Sequence, residues 1–276
     1  MDLTPSTSTP GASTGASTGA STGASTGAST GASTGATTVR ADEVARFNRL
    51  AATWWDPTGP MRPLHVTNGL RTGWVLEQVA RHWQRPRGDL SGLRVADIGC
   101  GGGLMCEPLA SLGAQVTGLD AADRNIAVAR LHAGLGELPI DYRVGEPATA
   151  LRADDRFDLM LLLEVVEHVD DVGAFMATAA RHLAPGGLLL ASTLNRTWRS
   201  WLLAIVGAEY VLRLLPVGTH QWRQFVTPAE LQAHAAASGL KPQALTGMRY
   251  LPFVHQARWT PDTSVNYIAA FARPAG

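Results

Sequence analysis

Glu164, Glu167 and His168 follow directly on an apolar run, Phe157 to Leu163, that has the length of a strand. On a helix beginning at Glu164 these positions, i, i+3 and i+4, would share one face and bring two carboxylates and an imidazole together at the strand's carboxyl end. Such a set could hold a divalent cation: carboxylates favour Mg²⁺, while the imidazole admits Mn²⁺ or Zn²⁺. Without a metal, His168 could serve as a general base. The alternative is a solvated first helical turn whose acids simply favour the helix dipole. A second constellation lies earlier, in Val95-Ala96-Asp97-Ile98-Gly99-Cys100-Gly101-Gly102-Gly103. Its pattern is a strand, a glycine-rich turn and a helix start, where missing side chains let a ligand lie on the backbone and free N–H groups point at it. A dinucleotide fingerprint would need a third glycine at the position of Leu104, so the spacing fails for NAD. Asp120 closes the next strand, where an acid can accept hydrogen bonds from ribose hydroxyls.

These residues need a scaffold that collects strand ends. Strand-like segments Arg94–Gly99, Gln115–Asp120, Ile140–Val144, Phe157–Leu163 and Leu188–Thr193 alternate with helical patterns over Leu104–Leu112, Asp123–Ala133 and Val172–Leu183. That alternation predicts an α/β fold of the Rossmann-like type, a mostly parallel sheet with helices on both faces and ligands at the strands' carboxyl ends. Two closing strands, Lys241–Tyr250 and Ser264–Ala272, follow a helix over Pro228–Ser238 and bring the expected count to seven. Helices over Ala41–Trp55 and Leu70–Trp83 form an N-terminal extension. The apolar run Trp198–Leu215, within an insertion spanning about 196–223, has no place in the minimal alternation.

From Gly11 to Thr34 the chain repeats Gly-Ala-Ser-Thr. Such a segment cannot bury enough apolar surface to offset chain entropy, so residues 1–38 read as a flexible tail and 39–276 as the folded domain. Basic and acidic residues both number 23, which lacks the basic excess that phosphate backbones require and argues against nucleic acid as a partner. Lys241 is the only lysine, so lysine is removed from most catalytic roles. Cys100 and Cys106, the only cysteines, are too few for a disulfide framework and fit a reducing compartment. The start has neither a secretory nor an arginine-rich presequence pattern. The expected location is the cytoplasm. With Glu209 and Arg213 as the charges in its core and Arg196, Arg199, Arg213 and Arg223 around it, Trp198–Leu215 is expected to lie on an anionic membrane surface rather than to span it.

Asp97-Ile98-Gly99-Cys100-Gly101-Gly102-Gly103 resembles the first motif of class I methyltransferases, and Asp120 falls where that family's ribose-binding acid falls. Further segments are similar to a narrower family, the ubiquinone-biosynthesis O-methyltransferases: Trp54-Trp55-Asp56, Pro63-Leu64-His65, Leu163 to Val169, Ser192 to Arg196, Ser200 to Tyr210, and Val265-Asn266-Tyr267. The resemblance implies S-adenosylmethionine (SAM) as methyl donor and a hydroxyl on a polyprenylated catechol or phenol as acceptor, of the 3-demethylubiquinol and 2-polyprenyl-6-hydroxyphenol type. It implies cofactor contacts at Arg71, Gly99, Asp120 and Leu163, with Gly101 in the same loop and Asp97 suited to the cofactor's ammonium group. Other enzymes of ubiquinone biosynthesis are expected partners, at the inner face of the cell membrane. Because a phenol titrates near ~10, transfer needs help in forming the oxygen anion. A cation on Glu164, Glu167 and His168, Mg²⁺ by the resemblance, or His168 acting directly, would supply it.

Overall fold

The computed structural model describes residues 44–45, 51–202 and 222–276. The expected tail, most of the first expected helix and most of the Trp198–Leu215 run lie outside them. In chain order the strands are β1 (Arg94–Ile98), β2 (Gln115–Asp120), β3 (Asp141–Val144), β4 (Phe157–Leu163), β5 (Leu183–Leu194), β6 (Lys241–Leu251), β7 (Gln256–Thr260) and β8 (Asn266–Ala272). The helices are α1 (Arg62–Trp83), α2 (Cys106–Ser111), α3 (Asp123–Leu135), α4 (Pro147–Ala150), α5 (Val172–His182), α6 (Trp198–Ser200) and α7 (Pro228–Ala237).

One sheet runs in the order β3-β2-β1-β4-β5-β8-β6-β7. β3, β2, β1, β4 and β5 are parallel, β8 is antiparallel to β5, and β6 is antiparallel to both β8 and β7. The central strand β4 shows why a continuous apolar run becomes a strand here. Met160 and Leu162 enter the core formed with Phe175, Met176, Leu231 and Ala235 of α5 and α7, while Leu159 and Leu161 enter the one formed with Val75, Val79, Leu109 and Ile126 of α1, α2 and α3. Covered on both faces, such a strand has no polar side. The chain order reverses between β1 and β4, and the crevice outside the carboxyl ends of strands at such a reversal is where ligands bind in open α/β sheets.

Two expectations are corrected. The sheet has eight strands rather than seven, because Gln256–Thr260 folds back on β6 as a hairpin. Its turn, Pro252–His255, puts His255 in the left-handed region (φ 47) and contains no glycine or asparagine, so the usual turn signal is missing. α1 starts at Arg62 rather than Leu70, since Pro63 sits in the first turn, where a missing N–H costs nothing. Among the described residues no helix is long and apolar enough to cross a membrane.

Candidate active site

The ends of β1, β2 and β4 open into one cavity of about 270 Å³, closed from the N-terminal side by Trp54, Met61, Pro63, Leu64 and Arg71. Asp97, Gly99, Gly101, Asp120, Leu163, Glu164, Glu167 and His168 all line it, so the structure brings every expected site residue to one place. Five carboxylates, those of Asp97, Asp120, Glu146, Glu164 and Glu167, face a cavity to which Arg71 contributes a guanidinium.

Asp120 is held from several directions. Its carboxylate accepts the backbone N–H of Gly101 and of Ala122, both at 2.8 Å, and the amide of Asn125 at 3.2 Å. Burial raises its pKa and these bonds oppose the rise. Asn125 in turn accepts the indole N–H of Trp54 at 2.8 Å. Trp54 thereby packs closely against the glycine loop: a Cβ added to Gly101 would stand 2.4 Å from its ring, and one added to Gly102 would stand 2.5 Å from its Cβ. Gly101 also has φ 55, a conformation that side chains rarely adopt. Next in sequence, Trp55 donates its indole N–H to the carbonyl of Gly102 at 2.9 Å and stacks on His132, whose ring bonds Glu107 at 2.8 Å. The Trp54-Trp55 pair therefore fastens the N-terminal segment over the loop.

Asp97 is buried at the end of β1, 3.3 Å from the Cys106 thiol that donates to it. Burial, aided by the Asp120 charge and opposed by that thiol, pushes its pKa up to about 7. Burial also pushes the Cys100 thiol up to about 11 and the Cys106 thiol well above its ordinary value, so both stay neutral and poorly nucleophilic.

Beyond β4 the chain departs from the expected helix. Glu164 has φ 55, its N–H donates to the Ser192 carbonyl at 2.9 Å, and only Val166–His168 winds into a 3₁₀ turn before α5 begins at Val172. The shared helical face of Glu164, Glu167 and His168 therefore does not exist, although all three line the cavity. Glu164 is committed elsewhere: its Oε1 accepts Arg71 at 2.5 Å and the Ser192 hydroxyl at 2.9 Å. Arg71, nearly buried, also donates to Asn68 at 3.3 Å. Glu167 is buried and accepts the Thr193 hydroxyl at 2.8 Å. Burial first, then the Glu164 charge, pushes its pKa up to about 7, against the opposing pull of His168 and Thr193. Among the described residues no three His, Cys, Asp or Glu side chains converge as a metal-holding group. With one carboxylate bound to a guanidinium and the other buried against a hydroxyl, the expected Glu164, Glu167 and His168 set does not fit a cation in this arrangement.

Sequence reasoning missed Asn125, which lies within α3 with no local signal of its role. It also read Trp54 as a helix end. The paired tryptophans before Asp56 were the available clue.

A sheet of this order with such a loop and acid defines a SAM-dependent methyltransferase of the Rossmann-like class I type, and a family model described as a methyltransferase domain matches residues 72–245. The fold is similar to that of a magnesium protoporphyrin IX methyltransferase from Synechocystis with bound SAH, at TM-score 0.60 and 22% identity over 83% of this chain and 94% of that one. At the sequence level the chain is 52% identical to a ubiquinone biosynthesis O-methyltransferase from Methylobacterium nodulans, covering 86% of this chain and 96% of that one. It is 50% identical to another from Azorhizobium caulinodans, covering 83% and 92%. The chain belongs to the ubiquinone biosynthesis O-methyltransferase family and is a SAM-dependent O-methyltransferase.

Proposed function

We propose that the cavity transfers the methyl group of SAM to a phenolic or catechol hydroxyl on a polyprenylated ring, a precursor of ubiquinone. The observation that carries this reading is the continuity of the site: the glycine loop with Asp120 and the Glu164–His168 turn line one cavity whose outer wall, Met61, Pro63 and Leu64, is apolar. In this reading Asp120 accepts the ribose hydroxyls, the backbone at Gly99 and Gly101 approaches the methionine portion, Asp97 receives its ammonium, and Leu163 and Arg71 complete the cofactor wall. His168 takes the proton from the acceptor hydroxyl. Glu167 stands behind the same turn with a pKa near neutrality and is suited to passing that proton on. Mg²⁺ at this turn would require Glu164 to leave Arg71 first, so the arrangement favours direct base catalysis.

The membrane delivers the acceptor in this reading. Trp198, Trp201, Leu202 and Trp222, which flank the segment outside the described residues, are exposed large hydrophobics. Two of the arginines expected to meet head groups are already engaged, Arg196 with Glu230 and Arg199 with Asp262 at 3.6 Å. The apolar side chains therefore carry more of the proposed docking than the charges do.

The test is methyl transfer by the purified protein with SAM and either prenylated or plain catechols, before and after exhaustive chelation. Transfer that survives chelation and is lost in His168→Gln is the expected result. Loss on chelation with restoration by Mg²⁺ would return the metal to the site, and transfer to no catechol would overturn the acceptor class.

A further inference from the structure

β6 and β7 continue past the point where the rest of the sheet ends. β8 pairs with β6 as far as Gly247, opposite Tyr267, whereas the β6–β7 ladder runs on to Leu251, opposite Gln256. At ~3.3 Å per residue the four extra residues carry this ribbon roughly 13 Å further before the Pro252–His255 turn. Since β6 is antiparallel to β8, and β8 to β5, the ribbon projects from the same sheet edge as the carboxyl ends of β4 and β5, where the cavity lies.

The base of the ribbon is mounted firmly. Trp259 packs beside Trp74 of α1, ring centroids 6.0 Å apart, and nearer the turn the Tyr250 hydroxyl and His255 bond each other at 2.7 Å, bracing the ribbon from within. The positive charge of Arg62 acts on Tyr250, which places the ribbon beside the start of α1 and the Met61–Leu64 wall of the cavity. Its tip is the reverse of a buried hairpin. Phe253 is 87% exposed and Val254 58%. Arg249 and Arg258 stand directly opposite each other in the ladder, both exposed. Like charges so placed destabilise a strand pair. Among the described residues neither forms an ion pair; the acid that feels Arg249 is Asp262, which Arg199 already engages at 3.6 Å. Two apolar side chains in water, backed by two exposed cations that form no ion pair among the described residues, match a surface that is apolar inside and anionic outside.

We propose that the Leu251–Gln256 turn inserts Phe253 and Val254 into an anionic lipid surface while Arg249 and Arg258 meet its head groups. This rests on the membrane-delivery reading above and adds to it a second contact point, separate in sequence from residues 198–222. Two contacts on one edge would fix the cavity mouth toward the lipid, where a single anchor would leave it free to pivot.

The test uses the full chain and vesicles of phosphatidylcholine with or without phosphatidylglycerol. Cys100 and Cys106 are buried, so Val254→Cys can be labelled selectively with an environment-sensitive fluorophore. A blue shift, with quenching by brominated lipid, is expected on vesicles containing phosphatidylglycerol. In flotation, Phe253→Ser combined with Val254→Ser should bind at least tenfold more weakly than wild type, and Arg249→Gln with Arg258→Gln should lose the preference for anionic lipid. Both should methylate a short-tailed soluble catechol at the wild-type rate. If wild type floats, Trp198→Ser with Trp201→Ser does not, the tip variant binds as wild type and the fluorophore on Val254→Cys stays in water, the hairpin proposal fails while the first contact stands. If wild type binds no vesicle yet methylates catechols, the whole membrane reading fails with it and the acceptor chemistry survives.

Discussion

Cofactor binding should expel a proton, and Asp97 sets how much. Its carboxyl is buried at the end of β1 with a pKa of about 7, so the free protein carries a proton there part of the time near neutrality. A cationic ammonium settling beside it favours the ionised form, and the proton must leave. With that pKa the fraction protonated is about nine-tenths at pH 6, one half at pH 7 and one-tenth at pH 8, and the protons released on binding should follow it. Apparent affinity should then fall about fivefold from pH 7 to pH 6, as the cost of deprotonation grows by up to ~1.4 kcal/mol per unit. Titration calorimetry in two buffers of different ionisation enthalpy measures the release directly. Glu167 has a similar pKa and could release its own proton, so Asp97→Asn is the necessary control: the variant should bind without buffer dependence. Wild-type binding at pH 6 with no proton release, or an equal release from Asp97→Asn, would refute the placement of the ammonium beside Asp97.

Further outcomes follow from the same geometry. Asp120→Ala should weaken SAM binding by roughly ten- to a hundredfold, the loss of ~1.5–3 kcal/mol in bonds to a charged group, and should also lower the melting temperature because Gly101, Ala122 and Asn125 lose their acceptor; calorimetry showing unchanged affinity would remove Asp120 from the cofactor site. Gly102→Ala should force Trp54 off the loop, since the new Cβ would stand 2.5 Å from the Cβ of Trp54, and a drop in tryptophan fluorescence anisotropy or protease resistance at the N-terminal segment would report it; an unchanged melting temperature and unchanged SAM affinity would show that the contact is slack. In the cofactor-free protein Asp97 and Glu167 have folded pKa values of about 7, above their ordinary 3.8 and 4.5. Their contribution to stability is therefore full below those ordinary values and lost as pH rises through 7, so the melting temperature should be higher at pH 5.5 than at pH 7.5, with the difference reduced in Asp97→Asn and Glu167→Gln. A melting temperature that rises across that window would contradict the burial of these acids.

The parallel core was legible because buried strands advertise themselves: β4 is apolar at nearly every position, and glycine and proline punctuate the elements around it. The glycine loop and Asp120 were legible for a related reason, since a ligand close to the backbone demands residue types that few other structures need. What stayed hidden depends on partners distant in sequence. Glu164 takes a left-handed conformation in a structure that ties it to Ser192 and to Arg71, 93 residues away, and no periodicity at Glu164 itself reports that. Trp54 meets Asn125 across 71 residues. β7 was missed because its turn is built from Pro252, Phe253, Val254 and His255, and a tip meant to be exposed and apolar does not read as a loop.

The acid-rich lining of the cavity also bears on the direction of traffic through it. Before transfer the cofactor carries a sulfonium cation and afterwards it is a neutral thioether, while the same acidic side chains line the cavity in both states. Whatever part of the grip comes from that charge vanishes at the instant of reaction. That part of the attraction is therefore one the product does not share, and the salt dependence of binding should be steeper for the fresh cofactor than for the spent one.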